Sequence, residues 1–406
     1  MTRLYVQYAL GQGSLIATSE EQTQQVLERL SNIIYTPLKR IALLKLRDSR
    51  AQMMIDWLSL VLQLDISDPW LRKNAKLTLF ELCTVAAINP KCYFLNDVAV
   101  GSEPATEGFS GIHNGHLGGS SICVKVVHVF QHASDAVYPR DDIREIIGWG
   151  QLHHPNIVPL YGIFHSKLSP LASMVSPWMH NGNLEKYLIK HPDEPRPPLI
   201  FDISLGLQYL HEQGVIHGNV KGANVLVNDI GRACIADFGF YVLQVGRTIT
   251  HTREVEMGYT IPWASPERIQ GGSSADSTFM SDIWSFGCVC FEVLTGLMPF
   301  HKCSERIAIR SLLEGELPSG SDPAKVLAGI DDYLCDLMNS CWRRNPDDRP
   351  SCQEIVEILK SNGVTREPIE EDQEAKRFRE NMRERATMSE SDLAQVEGIL
   401  RQLEAI

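Results

Sequence analysis

The sequence predicts an α+β fold with helical regions at both ends, and three observations lead there. Residues 1–94 carry helical periodicity and no strand pattern. A β-branched run, Ile122-Cys123-Val124-Lys125-Val126-Val127, follows the tight-turn dipeptide Gly118-Gly119. Helical apolar patterns at 199–210 and 283–294 come after that run.

Each element has a local reason. Ser19 with Gln22 makes a capping-box pattern, and Val26, Leu27, Leu30, Ile33 and Ile34 then follow the helical period. Pro37 interrupts. Met53, Met54, Trp57, Leu58 and Val61 mark a second helix. Asp68 and Pro69 form an N-cap and first-position pair for a third, through Leu71, Ala75, Leu79 and Leu82, which Pro90 ends. With no chemical motif in 1–94, this region is expected to be a helical bundle that packs on its neighbour or on a partner. Residues 363–406 are highly charged up to Arg385. There Leu393, Val396, Leu400 and Leu403 follow the 3-4-3 spacing of a coiled-coil seam. Two heptads are too few for a coiled coil alone, so a helix docked on the domain and an exposed partner-binding helix both stay open. The charged stretch before it is expected to be a solvated helix or linker. The division is therefore 1–94, a helical region; 95–362, the domain with the chemistry; and 363–406, a charged linker and an amphipathic helix.

Composition narrows the function. The chain has 406 residues, 44% hydrophobic and 22% charged, with a net charge of −12. That balance repels nucleic-acid phosphates and anionic lipid. The apolar stretch 57–64 is far shorter than the roughly 20 residues needed to cross a bilayer. The segment 4–10 is short, interrupted by Gln7, and lacks a small-residue cleavage pattern. A soluble, intracellular, cytoplasmic protein is expected. The 10 cysteines are scattered without a C-x-x-C pair. They are read as buried reduced thiols, Cys288 and Cys290 beside Trp284 and Phe286 among them.

The most specific stretch is His217-Gly218-Asn219-Val220-Lys221-Gly222-Ala223-Asn224. Thirteen residues after Asn224 comes Asp237-Phe238-Gly239, and later Ser265-Pro266-Glu267. These have the order and spacing of H-R-D-L-x-x-x-N, D-F-G and A-P-E. Ile122-Cys123-Val124-Lys125 stands where V-A-I-K would. Residues 95–362, about two-thirds of the chain, thus resemble a protein kinase domain of the tyrosine-kinase-like group. The resemblance implies a two-lobed fold, with a small β-rich lobe and a larger helical lobe. It also implies ATP and Mg²⁺ as cofactors, held in a cleft.

The family's roles carry over position by position. Lys125 would grip the α- and β-phosphates and pair with Glu145, which precedes the phrase His154-Pro155-Asn156-Ile157. The glycine-rich loop is eroded. In 105–112 the motif glycines become Ala105, Glu107 and Ser110, beside Gly108, Phe109 and Ile112. Glu107 would set a negative charge near an anionic ligand and weaken ATP binding. Ser176 would be the gatekeeper, and the backbone of Pro177 and Met179 would meet the adenine edge. Asp237 and Asn224 would hold Mg²⁺. Asn219 takes the place of the aspartate that accepts the substrate proton. Its amide keeps the shape but has no useful basicity, and general-base help contributes typically about 10²–10⁴-fold. Lys221 matches the lysine of serine/threonine kinases that contacts the γ-phosphate, and Thr260 their loop threonine. Gly218 replaces the arginine that meets a phosphorylated loop, although Thr248, Thr250 and Thr252 lie in that loop. Glu267 and Arg349 resemble a structural ion pair, Asp282 a tie to the catalytic-loop backbone, and His217 an anchor under Phe238.

Three readings follow. The one adopted is an ATP-binding signalling protein with impaired catalysis, a pseudokinase or very weak serine/threonine kinase, as retained Lys125, Glu145, Asn224 and Asp237 suggest. An active serine/threonine kinase that tolerates Asn219 is the second. A nucleotide-free interaction module is the third. Protein substrates are unnamed by the sequence, and the terminal helices are candidate binding surfaces for other proteins.

Overall fold

A computed structural model describes residues 20–64, 66–104, 111–126, 138–165, 172–237, 241–244, 247–248, 261–271, 277–320, 322–367, 373–386 and 388–406. The chain opens with helices α1 (Glu20–Tyr35), α2 (Pro37–Leu44), α3 (Asp48–Val61) and α4 (Pro69–Ala86). Strands β1 (Ala99–Pro104), β2 (Gly111–Leu117) and β3 (Ser120–Val126) follow, then α5 (Tyr138–Trp149), β4 (Gly162–His165) and β5 (Ala172–Pro177). Next come α6 (Leu184–Lys190), α7 (Arg196–Glu212), β6 (Val215–Ile216), β7 (Val225–Val227), β8 (Ala233–Ile235), β9 (Tyr241–Gln244) and β10 (Arg247–Thr248). Helices α8 (Pro266–Gln270), α9 (Phe279–Thr295), α10 (Glu305–Glu314), α11 (Pro323–Val326), α12 (Asp332–Cys341) and α13 (Cys352–Ser361) lead to α14 (Gln373–Arg385) and α15 (Glu390–Glu404).

The elements fall into two compact units. The first is assembled from three stretches of chain, within 20–151, 160–177 and 373–406. Its sheet has the order β1-β2-β3-β5-β4 and every neighbouring pair is antiparallel. Gly118 and Gly119 turn β2 into β3 with φ of 59° and 92°, values that β-carbon sterics make costly for other residues. Because side chains alternate along a strand, Ile122, Val124 and Val126 share one face with Val175. Leu117, Tyr161 and Phe164 join them, and α14 covers that face with Ala375 and Phe378. The Phe378 ring stacks on Tyr161 at 4.1 Å between centroids. The charged run 373–385 is therefore a helix with an apolar face packed on a sheet, and its Glu374 accepts from the Ser120 hydroxyl at the start of β3. The pattern hid this, because three apolar side chains among many charges give almost no periodic signal.

The helical bundle of this unit draws on both ends of the chain. Asp68 caps α4 by accepting the Trp70 N–H at 2.9 Å, and α4 runs to Ala86, with Ala87 in the left-handed region at φ 58°. Pro37 interrupts the helical run by opening α2 as its first residue. Helix α15 buries Leu393, Val396, Ile399, Leu400 and Leu403 against α1, α2 and α3. The seam is docked, and its docking surface is the N-terminal helices rather than the 95–362 domain. Arg29 on α1 fastens it, bonding Glu397 and Glu404 at 2.7 Å each. Ser19 lies outside the described residues.

The second unit comprises 152–159 and the described part of 178–367. Around α9, buried from Ser281 to Val293, pack α6, α7 and α12. The hairpin β7-β8 and the small sheet β10-β9-β6 supply its strands. Glu267 and Arg349 form a bidentate pair at 2.7 and 2.8 Å. Burial alone would raise the Glu267 carboxyl, but the Arg349 bonds outweigh it and hold the group below its ordinary value. All ten cysteines are free. Burial pushes the Cys288 and Cys290 thiols well above their ordinary value. Among the described residues no helix is long and apolar enough to cross a membrane.

Candidate active site

Ile112, Lys125 and Ser176, candidates in the first unit, share one sheet face. Ile112 pairs with Lys125 across β2 and β3, Lys125 with Met174 and Cys123 with Ser176 across β3 and β5. Cross-strand partners point the same way, so Ile112, Lys125 and Ser176 share the face opposite Val124. Helix α5 lies on that side, since Glu145 Oε1 accepts from Lys125 Nζ at 2.9 Å. Both side chains are largely buried, 22% and 16% exposed. A pair held this way keeps its geometry better than two solvated side chains do. Pro177 ends β5 and is paired with Ile122. Glu107, Gly108 and Phe109 lie outside the described residues.

The second unit holds the rest. Just past β5 the chain turns, with Met179 O accepting from Gly182 N–H at 2.9 Å. The catalytic-loop stretch is suspended from Asp282 on α9, whose two oxygens accept the His217 and Gly218 N–H groups, each at 2.8 Å. His217 is fully buried and braces the loop from inside. Its Nδ1 accepts from Asn219 N–H at 3.2 Å, and its Nε2 donates to Ala236 O at 3.2 Å. Burial lowers the imidazole pKa, against the pull of Asp282, which suits a neutral ring that accepts at one nitrogen and donates at the other. Phe238, expected over this histidine, is outside the described residues.

Asn224 and Asp237 come together through β7 and β8. Val225 pairs with Ile235, and Ala236 N–H donates to Asn224 O at 2.9 Å. The two residues thus sit side by side at the open end of the hairpin. Asn224 Nδ2 donates to Asn219 O at 2.9 Å, which turns its amide oxygen away from that bond. Asp237 is exposed, with φ 53°. An amide oxygen and a carboxylate are both hard donors, the chemistry that Mg²⁺ takes. Lys221 follows Asn219 on the same loop and is half-buried. Asn219 Oδ1 is buried and accepts no hydrogen bond among the described residues.

Three features escaped the sequence. Gly218, where the family's arginine is absent, has φ 73°, a conformation that favours glycine. Arg268 donates to Gly218 O at 3.0 Å, fixing that peptide. Glu292 on α9 is buried, and its Oε2 accepts from Gly222 N–H at 3.0 Å and Trp263 Nε1 at 2.7 Å. Burial raises this carboxyl to about 7, while the Trp263 and Gly222 donors oppose the rise. An acidic residue inside the apolar run 283–294 was the available signal, since such a group is kept only by fixed partners.

Comparison with known proteins agrees with this geometry. The model of the protein tyrosine and serine/threonine kinase family matches residues 105–359. The serine/threonine/tyrosine-protein kinase HT1 of Arabidopsis thaliana is 33% identical over 278 residues, 65% of this chain and 66% of that one. Ephrin type-A receptor 3 of Danio rerio is 33% identical over 229 residues, 54% of this chain and 22% of the receptor. Cytokinesis protein sepH of Aspergillus terreus is 30% identical over 245 residues, 59% of this chain and 16% of that protein. The chain thus spans less than two-thirds of the length of each of these relatives. With the motif residues seated on a five-stranded sheet and a helical unit, and the family match covering more than half of the sequence, the chain belongs to the protein tyrosine and serine/threonine kinase family.

Proposed function

We propose that this chain is an ATP-binding, kinase-like signalling protein whose phosphotransfer is impaired. The observation that carries the reading is the combination of a formed Lys125–Glu145 pair with an amide at position 219. Lys125 and Glu145 are assigned to the nucleotide phosphates. Ile112, Ser176, Pro177 and Met179 are assigned to the base and its surroundings, and Glu107, Gly108 and Phe109 to the eroded loop over the phosphates. Asn224 and Asp237 would hold Mg²⁺, which when bound screens phosphate charge. Asn219 is assigned to orient a substrate hydroxyl through Oδ1, an acceptor with no partner among the described residues. It cannot take the proton, and Lys221 is assigned to the transferring phosphate. Positioning and electrostatics supply most of the catalysis in phosphoryl transfer, so a slow serine/threonine-directed reaction fits these residues better than a fast one. Substrate proteins, and a cytoplasmic place of action, belong to the same proposal.

A pair of measurements tests it. Mg·ATP at 100 times Kd should stabilise the chain by about 2.7 kcal/mol, and Lys125→Ala should abolish the thermal shift. In a radiolabelled transfer assay Asn219→Asp should gain about 10²–10⁴-fold over the wild type. No shift at millimolar nucleotide would make the chain a nucleotide-free interaction module. Robust wild-type turnover, unchanged in Asn219→Asp, would make it an ordinary active kinase.

A further inference from the structure

The short 3-10 turn Lys91–Tyr93 between α4 and β1 touches an unusual number of elements of the first unit. Gln52 Nε2 on α3 donates to Asn89 O at 3.3 Å, and Lys91 N–H donates to Asp56 Oδ1 at 2.9 Å. From α14, Arg385 Nε donates to Cys92 O at 3.1 Å. Leu95 N–H donates to Ile163 O on β4 at 2.7 Å. The turn is a joint that binds the bundle, the C-terminal helices and the sheet edge.

Tyr93 sits at the centre of this joint, with 5% of its surface exposed. Two glycines leave room for it. A Cβ at Gly162 would lie 2.5 Å from Tyr93 O, and a Cβ at Gly150 would lie 2.8 Å from Cε2 and Oη of the Tyr93 ring. Gly150 immediately follows α5, and its N–H closes the last turn of that helix on Ile146 O at 2.9 Å. The ring is thus in contact with the end of α5, roughly 7 Å along the axis from Glu145 at 1.5 Å per residue. Helix α4 packs along the same helix. A close-packed stop at that distance transmits small displacements, because protein interiors yield little.

We propose that Tyr93 is the positioning residue of the Lys125–Glu145 pair: its ring is the stop on which α5 seats, and the terminal helices hold the stop in place. The inference rests on the nucleotide-binding reading for its effect on ligand. It makes α1–α4 and α14–α15 part of the apparatus that sets affinity.

The experiment uses the full chain. Gly150→Ala drives a methyl group into the ring. It should speed amide hydrogen exchange across 138–149 and weaken Mg·ATP binding, each about tenfold. Tyr93→Leu in the same chain should recover much of both losses by making room. In a Glu145→Gln background Gly150→Ala should cost no further affinity, because the pair through which it acts is already broken. Unchanged exchange in Gly150→Ala, or an equal loss of affinity in the Glu145→Gln background, overturns the proposal. If the wild type binds no nucleotide, the functional reading fails, and the exchange data still decide for or against Tyr93. Should Gly150→Ala not fold, Arg385→Met severs the tie from α14 and leaves the ring intact. Faster exchange in 138–149 then supports the proposal and unchanged exchange overturns it.

Discussion

Gly218 joins chemistry and backbone at one position. Its φ of 73° is a conformation that costs a residue with a β-carbon about 1–2 kcal/mol. Gly218→Arg, which restores the family residue, should therefore lower stability by that amount in denaturant titration; an unaltered midpoint would mean that the loop relaxes freely. Glu292 offers a second test. Its carboxyl rises from about 4.5 to about 7 in the folded chain, chiefly through burial. The folded state then binds more protons than the unfolded one between these values. This contribution to stability is present in full below pH 4.5 and is lost as pH climbs to 7. Glu292→Gln keeps an acceptor for Trp263 and Gly222 and does not titrate. Unfolding measured from pH 4.5 to 8 should show a weaker loss of stability with rising pH in the variant. Both residues were legible only in part. The sequence shows that an arginine is missing and that an acid lies in an apolar helix, but not the dihedral or the donors that give those facts meaning.

The elements were legible where each has its own periodic signal. The runs 199–210 and 283–294 became α7 and α9, the β-branched run became β3, and Asp68-Pro69 began α4. What stayed hidden was pairing across long stretches of chain, which no local pattern encodes. Helix α14 is the clearest case, since its apolar contact with the sheet rests on Ala375 and Phe378 within a charged sequence. Phe378→Ala should destabilise the first unit by about 2 kcal/mol, less than a fully buried phenylalanine because the ring is only partly covered. Thermal unfolding of the full chain checks this, and a change within error would make α14 a loosely held cover. The Arg29 clamp belongs to the same scale: Arg29→Ala leaves Glu397 and Glu404 near each other without their shared cation. Faster hydrogen exchange in α15 is the expected result.

For the whole molecule, the decisive feature is that one unit recruits stretches from three parts of the sequence. A fragment of 95–362 lacks α14 over Val124 and Val175 and lacks the bundle behind α5. It should be poorly soluble beside the full chain when both are expressed and compared by sedimentation; a monodisperse, nucleotide-responsive fragment would contradict this. The consequence reaches back to biosynthesis. Strands β1–β5 leave the ribosome well before α14 and α15 are made. At 5–20 residues per second, synthesis of the intervening unit takes roughly 10–40 s. Throughout that delay a nascent sheet waits with an uncovered greasy side, which chaperones would have reason to shield.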